Sequence, residues 1–396
     1  MSNAFAWSEE YPWIDYDFDF SRLSYHAWVE IGECASICAH IAGIPLAPEE
    51  WKEMHQVYLA KGVLATTAIE GNTLSEDEVR KAVEGRLELP ESKDYLRQEV
   101  ENIIAVFNEI AEQIRQGRLP DITPELLCHY NDMVLTTLPL PDEVVAGQFR
   151  KHRVGVGSYR CPPAEHMEEM VRVLCERLRS FDESKLDSPI RAILKAIVAH
   201  LYVAWIHPFG DGNGRTARLL EAMILLQSGV PSTAAHLLSN YYNSTRTEYY
   251  RVLERASKTR DPLPFLSYAI TGLRDELRDQ RTRFMDIVWK VVWKNHIYST
   301  FDRKKKTAVN NRRQRLALEL AKQAQPVKLG DMMKLSADTA LLYGHRRSFA
   351  TLRRDVQALL ADELIRAERI DHQLAYRTNI QRLSSMLPLK SKPKSK

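Results

Sequence analysis

Twelve consecutive residues carry most of the chemistry this chain can do: His207-Pro208-Phe209-Gly210-Asp211-Gly212-Asn213-Gly214-Arg215-Thr216-Ala217-Arg218. An imidazole such as that of His207 is suited to taking a proton from an incoming hydroxyl near neutral pH. Asp211 supplies carboxylate oxygen, the ligand that Mg²⁺ prefers when it is held against phosphates. Arg215 and Arg218 stand three residues apart and share one helical face, where two guanidinium groups suit a polyphosphate. Gly212, Asn213 and Gly214 lie between them, where bare backbone N–H groups can approach an anion. A base, a metal ligand, a backbone cradle and two phosphate-binding arginines together describe phosphoryl or nucleotidyl transfer. A glycine-capped helix–loop–helix turn with two solvated arginines would account for any one of these residues, but not for their coincidence.

The flanking sequence must position this stretch. An apolar run, Ala196 to Ile206, leads into it, and Leu219, Leu220, Met223, Ile224 and Leu226 repeat at helical spacing beyond it. Pro208 biases His207 away from the α region, so the first helix should end there. A second helix should restart near Arg215, with its free N–H groups and positive dipole end facing the glycine loop.

The stretch matches without departure the signature His-x-Phe-x-(Asp/Glu)-Gly-Asn-Gly-Arg-x-x-Arg, and the chain thereby resembles the Fic-domain protein adenylyltransferases over about residues 10–280. The resemblance implies a mainly α-helical domain with one short β-hairpin. It also implies transfer of AMP from ATP to a Ser, Thr or Tyr hydroxyl of a protein, including the chain itself, with Mg²⁺ as cofactor. Carried onto this sequence, His207 is the catalytic base and Asp211 the metal ligand. Gly212, Asn213, Gly214, Arg215 and Arg218 bind ATP, and Phe209 anchors the loop. The family's inhibitory motif (Ser/Thr)-x-x-x-Glu-(Gly/Asn) fits Thr66 to Gly71, so Glu70 is expected to pair with Arg218 and obstruct the γ-phosphate. Some family members use this glutamate to remove AMP, a direction the sequence leaves open. Residues 147–163, with alternation around Val154 and Val156, read as a hairpin and correspond to the family's flap, where a protein target would dock. Tyr249 and Tyr250 are expected either at the adenine or half-buried in the core, and Ser257 stands where many members carry asparagine.

The rest of the chain suggests four regions. Residues 1–115 form an N-terminal helical region containing the 66–71 motif, with Ser75 and Glu78 as a capping box and an amphipathic helix over Asp94–Ile114. Residues 116–285 form the catalytic core, with helices from Thr123 and over Glu165–Ser180. Residues 301–396 hold 22 lysines and arginines against 9 acids, a balance of +13, while the whole chain carries only +3. A boundary near 290–305 follows. Helices near Asn311–Gln323, Val327–Met333 and Phe349–Ala361, then strands Leu364–Ile370 and Gln373–Arg377, resemble a winged helix over 300–385. Its arginines, Arg346, Arg347, Arg353 and Arg354, could meet DNA phosphates. This supports an alternative reading, a nucleotide-sensing DNA-binding regulator. The basic tail 386–396 should be disordered. Five cysteines without metal spacing suggest reduced thiols in a cytoplasmic protein. No apolar run is expected to reach membrane-spanning length, so no membrane partner is expected. A homo-oligomer is compatible with the sequence.

Overall fold

The computed structural model describes residues 5–157, 159–181, 186, 188–344, 349–370 and 372–385. Ser158 at the hairpin tip, Arg346, Arg347 and Ser348 of the basic segment, Asp371 and the tail 386–396 lie outside the described residues. The chain divides into two units, Met1–Thr282 and Arg283–Lys396.

In the first unit, helices α1 (Tyr25–Ala42), α2 (Pro48–Ile69), α3 (Glu76–Val83), α4 (Asp94–Arg115) and α5 (Pro124–Leu135) precede the hairpin β1 (Gly155–Val156) and β2 (Tyr159–Arg160). Then follow α6 (Met167–Ser180), α7 (Ser188–Ile206), α8 (Asn213–Gln227), α9 (Leu237–Ser244) and α10 (Arg246–Thr259), while α11 (Leu263–Asp302) begins in this unit and ends in the second. Local chemistry sets many of these ends. Ser75 accepts from the Glu78 backbone N–H and Glu78 accepts from Ser75 in return, which starts α3. Thr123 caps α5, with Pro124 at its first position. α2 stops at Glu70 because Gly71 turns to φ 106° and the Asn72 N–H returns to the Thr67 carbonyl.

The core sits around α7. Its residues from Ala192 to Ile206 are buried almost without interruption, packed on α8 with α1 and α6 beside it. At 19 residues, α7 is long and apolar enough to cross a bilayer, contrary to the sequence expectation that no run reaches that length. Here 78% of that apolar stretch lies inside the unit. A helix that is apolar all round needs protein on every side when it forms the centre of a bundle. α2 lies against α3, α4 and α9, and also touches α8, which brings the end of α2 to the start of α8.

In the second unit the order is α12 (Ala308–Ala321), β3 (Val327–Lys328), α13 (Ala337–Tyr343), α14 (Phe349–Ala361), β4 (Ile365–Ile370), β5 (Gln373–Thr378) and α15 (Gln381–Ser385). The three strands form an antiparallel sheet in the order β3-β5-β4, with Val327 opposite Tyr376 and Ile365 opposite Thr378. The helix expected over Val327–Met333 is therefore not formed. Gly330 interrupts it, β-branched Val327 pairs into the sheet, and only Asp331–Lys334 winds into a 3₁₀ turn. The helix of this stretch starts later, at Ser336, whose side chain caps α13. Trp293, Ile297 and Phe301 from the end of α11 join Leu316, Tyr343, Leu352, Val356 and Leu359 in a separate apolar core. Within it, Asp355 is 1% exposed and accepts from Arg312 (2.6 Å), Arg313 (2.8 Å) and the Tyr343 hydroxyl (3.0 Å).

Candidate active site

α7 ends at Ile206, and His207 takes φ 52°, a left-handed value uncommon outside glycine. The next residues form a tight loop. Asn213 staples it through its side chain, accepting from the Phe209 N–H (2.9 Å) and donating to the Phe209 carbonyl (2.8 Å). The Phe209 ring points into the core with no exposure, 5.6 Å from the Phe149 ring. Gly212 adopts φ 75° and caps α8, which starts at Asn213, two residues before the expected Arg215. A Cβ at Gly212 would also press on Asn131 Nδ2 at 2.8 Å.

The imidazole of His207 sits largely out of water, and its pKa is pushed down to about 4. Burial is the main cause, and Arg150 adds to it. A hydrogen bond with the Ala204 backbone and the charges of Glu70 and Asp211 oppose the shift without cancelling it. At neutral pH the ring is unprotonated and able to accept a proton.

Arg215 in the first turn of α8 and Arg218 in the second are buried and each is engaged. Arg218, 1% exposed, donates from Nη2 to Glu70 Oε1 (2.6 Å) and to the Thr66 carbonyl (3.0 Å). The contribution of Thr66 is thus its main-chain oxygen. Arg215 donates to Glu99 (3.0 Å) and to Asp211 (3.0 Å), and Glu99 also accepts from Asn72 at 2.9 Å. The Nε atoms of both arginines are buried without a hydrogen-bond partner, leaving donors unspent at the start of α8. Burial works against a charge on Glu70, but Arg218 beside it, with Arg215 and His207, outweighs that and holds the carboxyl below its ordinary range. Glu70 stands over Gly214, where an added Cβ would collide with its carboxylate and meet Arg218 at 3.0 Å. The sequence-predicted residues Glu70, His207, Gly214 and Arg218 therefore line one cavity.

That cavity holds about 790 Å³, the size of a small-molecule site. Glu70, His207, Gly214 and Arg218 occupy one side; Tyr250, Leu253 and Ser257 of α10 line another; Gly155–Gly157 and Tyr159 of the hairpin form a wall. Both tyrosines line the cavity, and Tyr249 is anchored in the core as well. Tyr249 is 3% exposed, bonds His200 at 3.0 Å and stacks on Tyr242, as a core residue does. Tyr250 remains 40% exposed, and its hydroxyl donates to the Ile69 carbonyl (3.2 Å) at the end of α2. Ser257 accepts from the Trp205 indole N–H at 3.0 Å. Asp211 is not among the cavity-lining residues; its side chain is 47% exposed and paired with Arg215. Among the described residues no three His, Cys, Asp or Glu side chains converge on a metal position. A single carboxylate still suits Mg²⁺, which takes its other ligands from phosphates and water.

Sequence reasoning missed three supporting residues. Asn131 of α5, fully buried, donates to the Asp211 carbonyl (2.9 Å) and accepts from the Gly147 N–H (3.0 Å). Glu99 of α4 engages Arg215, and Arg150 engages the main chain at His207. Glu99 and Arg150 each sit among other charged residues, Arg97 and Glu101 or Lys151 and Arg153, and nothing local singles either out. The only signal was a polar side chain on the apolar face of a helix, as at Asn131 between Leu127 and Val134.

Residues 121–225 match the family described as Fic/DOC. Over 206 residues, 52% of this chain and 38% of the relative, the sequence is 32% identical to protein adenylyltransferase fic-1 of Caenorhabditis elegans. It is 30% identical over 204 residues, 51% of this chain, to protein adenylyltransferase Fic of Nematostella vectensis, of which 44% is covered. The chain thus spans about two fifths of the curated relatives it matches. Among solved structures, a Fic family protein from Desulfovibrio desulfuricans aligns with a TM-score of 0.55 at 21% identity, covering 90% of this chain and 96% of that one. A Fic-1 fragment from C. elegans aligns with a TM-score of 0.53 at 24% identity, covering 66% and 73%. Both likenesses concern the fold.

Proposed function

Because residues 121–225 match the Fic/DOC family, we propose that the chain is a protein adenylyltransferase that transfers AMP from ATP to a hydroxyl side chain of a protein. The observation that carries the reading is the shared cavity of His207, Gly214, Arg218 and Glu70. In the reaction, the target oxygen attacks the α-phosphorus, the bond to the β-phosphate oxygen breaks, and pyrophosphate leaves. His207 takes the proton from the attacking hydroxyl; the triphosphate's negative charge beside it raises the ring's proton affinity from its depressed value. Backbone N–H groups of Asn213 and Gly214 stabilise charge developing on the phosphoryl oxygens, and that of Gly212, which donates to Asp211 Oδ1, joins them once that bond is released. Arg215 and Arg218 orient the β- and γ-phosphates. Asp211 would hold Mg²⁺, which neutralises phosphate charge when bound.

Glu70 restrains this site. Its carboxylate occupies the Arg218 guanidinium and would repel a γ-phosphate placed there. The same carboxylate could serve the hydrolytic removal of AMP from a modified protein, in which water attacks the phosphorus, the protein's oxygen leaves with a proton and AMP is released. The target segment pairs with the flap hairpin, whose Val156 is exposed.

The test is intact mass after incubation with Mg²⁺ and ATP. An AMP-sized increment should grow in Glu70→Gly relative to the parent chain and vanish in Glu70→Gly/His207→Ala, while ATP binding persists. An increment that survives loss of His207 would overturn the assignment of the base.

A second reading rests on the order α12-β3-α13-α14-β4-β5, that of a winged helix, together with the +13 balance of residues 301–396. Arg353 and Arg354 lie exposed on α14. In this reading the full chain binds duplex DNA with a steep salt dependence, as phosphate contacts require. Binding that is unchanged by salt would exclude it.

A further inference from the structure

The C-terminus of α7 leaves main-chain carbonyls without helical partners just where His207 must be held in a left-handed bend. Arg150, 4% exposed, fills that position. Its Nε donates to the His207 carbonyl at 2.7 Å and its Nη2 to the Ile206 carbonyl at 3.4 Å. The rest of the guanidinium turns to the flap: Nη1 donates to the His152 carbonyl (2.9 Å), before β1, and Nη2 to the Pro162 carbonyl (2.6 Å), after β2. Its backbone N–H donates to the Pro208 carbonyl at 2.9 Å, and Phe149 bridges to Phe209. The hydrogen bonds described for this side chain all go to main-chain oxygens. A planar fork with five donors can join four carbonyls from three segments; a lysine ammonium is a point donor and cannot.

We propose that Arg150 is a positioning residue for the base, fixing the bend at His207 and tying it to both legs of the flap, so that a target docked on the hairpin is held in register with the imidazole. The charged groups acting on His207 are Arg150 itself, Glu70 at the end of α2 and Asp211 in the loop. Arg150 does not line the cavity and its described hydrogen bonds go to main-chain carbonyls, which separates this role from phosphate binding. The proposal rests on the adenylyltransferase reading for its consequence in rate, and on geometry alone for its consequence in structure.

Two readouts test it. In a Glu70→Gly parent, Arg150→Lys and Arg150→Ala should lower kcat for AMP transfer about 100-fold, the scale of an ångström-sized misplacement of a catalytic group. KM for ATP should stay within about threefold, since ground-state nucleotide binding is untouched. Methylguanidinium added to Arg150→Ala should recover about tenfold of the lost rate by refilling the fork. Independently of any activity, the ring NMR signals of His207, assigned by their loss in His207→Ala, should move or broaden in Arg150→Lys. Those of His200 and His236, buried elsewhere in the unit, should stay in place. Variants that keep kcat, or in which all three histidines shift together, would overturn the proposal. A parent that transfers no AMP, with the His207 signals still responding to Arg150→Lys, would leave the positioning role standing and refute the adenylyltransferase reading.

Discussion

At the scale of single residues, His207 and Glu70 have been moved in the same direction for different reasons. Burial depresses the imidazole to about 4, while Arg218 holds the carboxyl of Glu70 below its usual range. The sign for catalysis follows: only the neutral ring accepts a proton, so the rate should persist through the range where an ordinary histidine is already protonated. The acid limb of kcat/KM, which reports the free enzyme, is expected below the ordinary value of 6.5 and towards 4. A limb at or above 6.5 would mean that the ring is solvated. His207 was legible because the residue types around it coincide at fixed spacing, and Glu70 through the resemblance to the family's inhibitory motif. Arg150, Asn131 and Glu99 were not, since each meets its partner only through the fold. Arg150 lies 57 positions from His207 in sequence, and Glu99 lies 116 from Arg215.

At the scale of elements, capping and periodicity read well wherever they were strong. The capping box at Ser75, the proline start of α5, the hairpin at Gly155–Arg160 and the break after Ile206 all appear in the structure. The failures have physical causes. Val327–Met333 was read as a helix on apolar content, yet a two-residue strand needs only a free sheet edge, and β5 supplies one. α7 was read as too short for a membrane span, although its apolar run starts well before Ala196. Elements also have to be joined, and Asn131 joins α5 to both the catalytic loop and the start of the flap. Asn131→Ala should cost about 1–3 kcal/mol, the usual penalty for leaving buried polar groups unpaired. It should lower the melting temperature of the first unit, with the effect checked by thermal unfolding. A stability within a few tenths of a kcal/mol of the parent would show that the loop holds without it.

At the scale of the molecule, burial of neutral histidines makes the first unit sensitive to acid. His207 and His236 have folded pKa values of about 4 and about 3, both depressed below the unfolded value. Between that unfolded value, near 6.5, and the folded values, the unfolded chain binds more protons. Stability is therefore full above about pH 6.5 and declines as pH falls through the folded values. Denaturant midpoints measured from pH 7 to pH 4 should fall steadily, and less so in His207→Ala. A midpoint flat across that interval would contradict the burial of both rings.

The ion pair between Glu70 and Arg218 lies within one chain, 148 residues apart in sequence but 2.6 Å apart in space. Under the restraint proposed above, Glu70 would be in kinetic terms a tethered competitor, present once per site at an effective concentration set by the fold and not by the solution. Dilution cannot release it, so specific activity should be the same from nanomolar to micromolar protein. Specific activity that rises on dilution would mean that a second chain supplies part of the restraint. With the competitor fixed, the quantity left to vary is the free ligand, and the balance between restraint and turnover becomes a reading of the nucleotide supply.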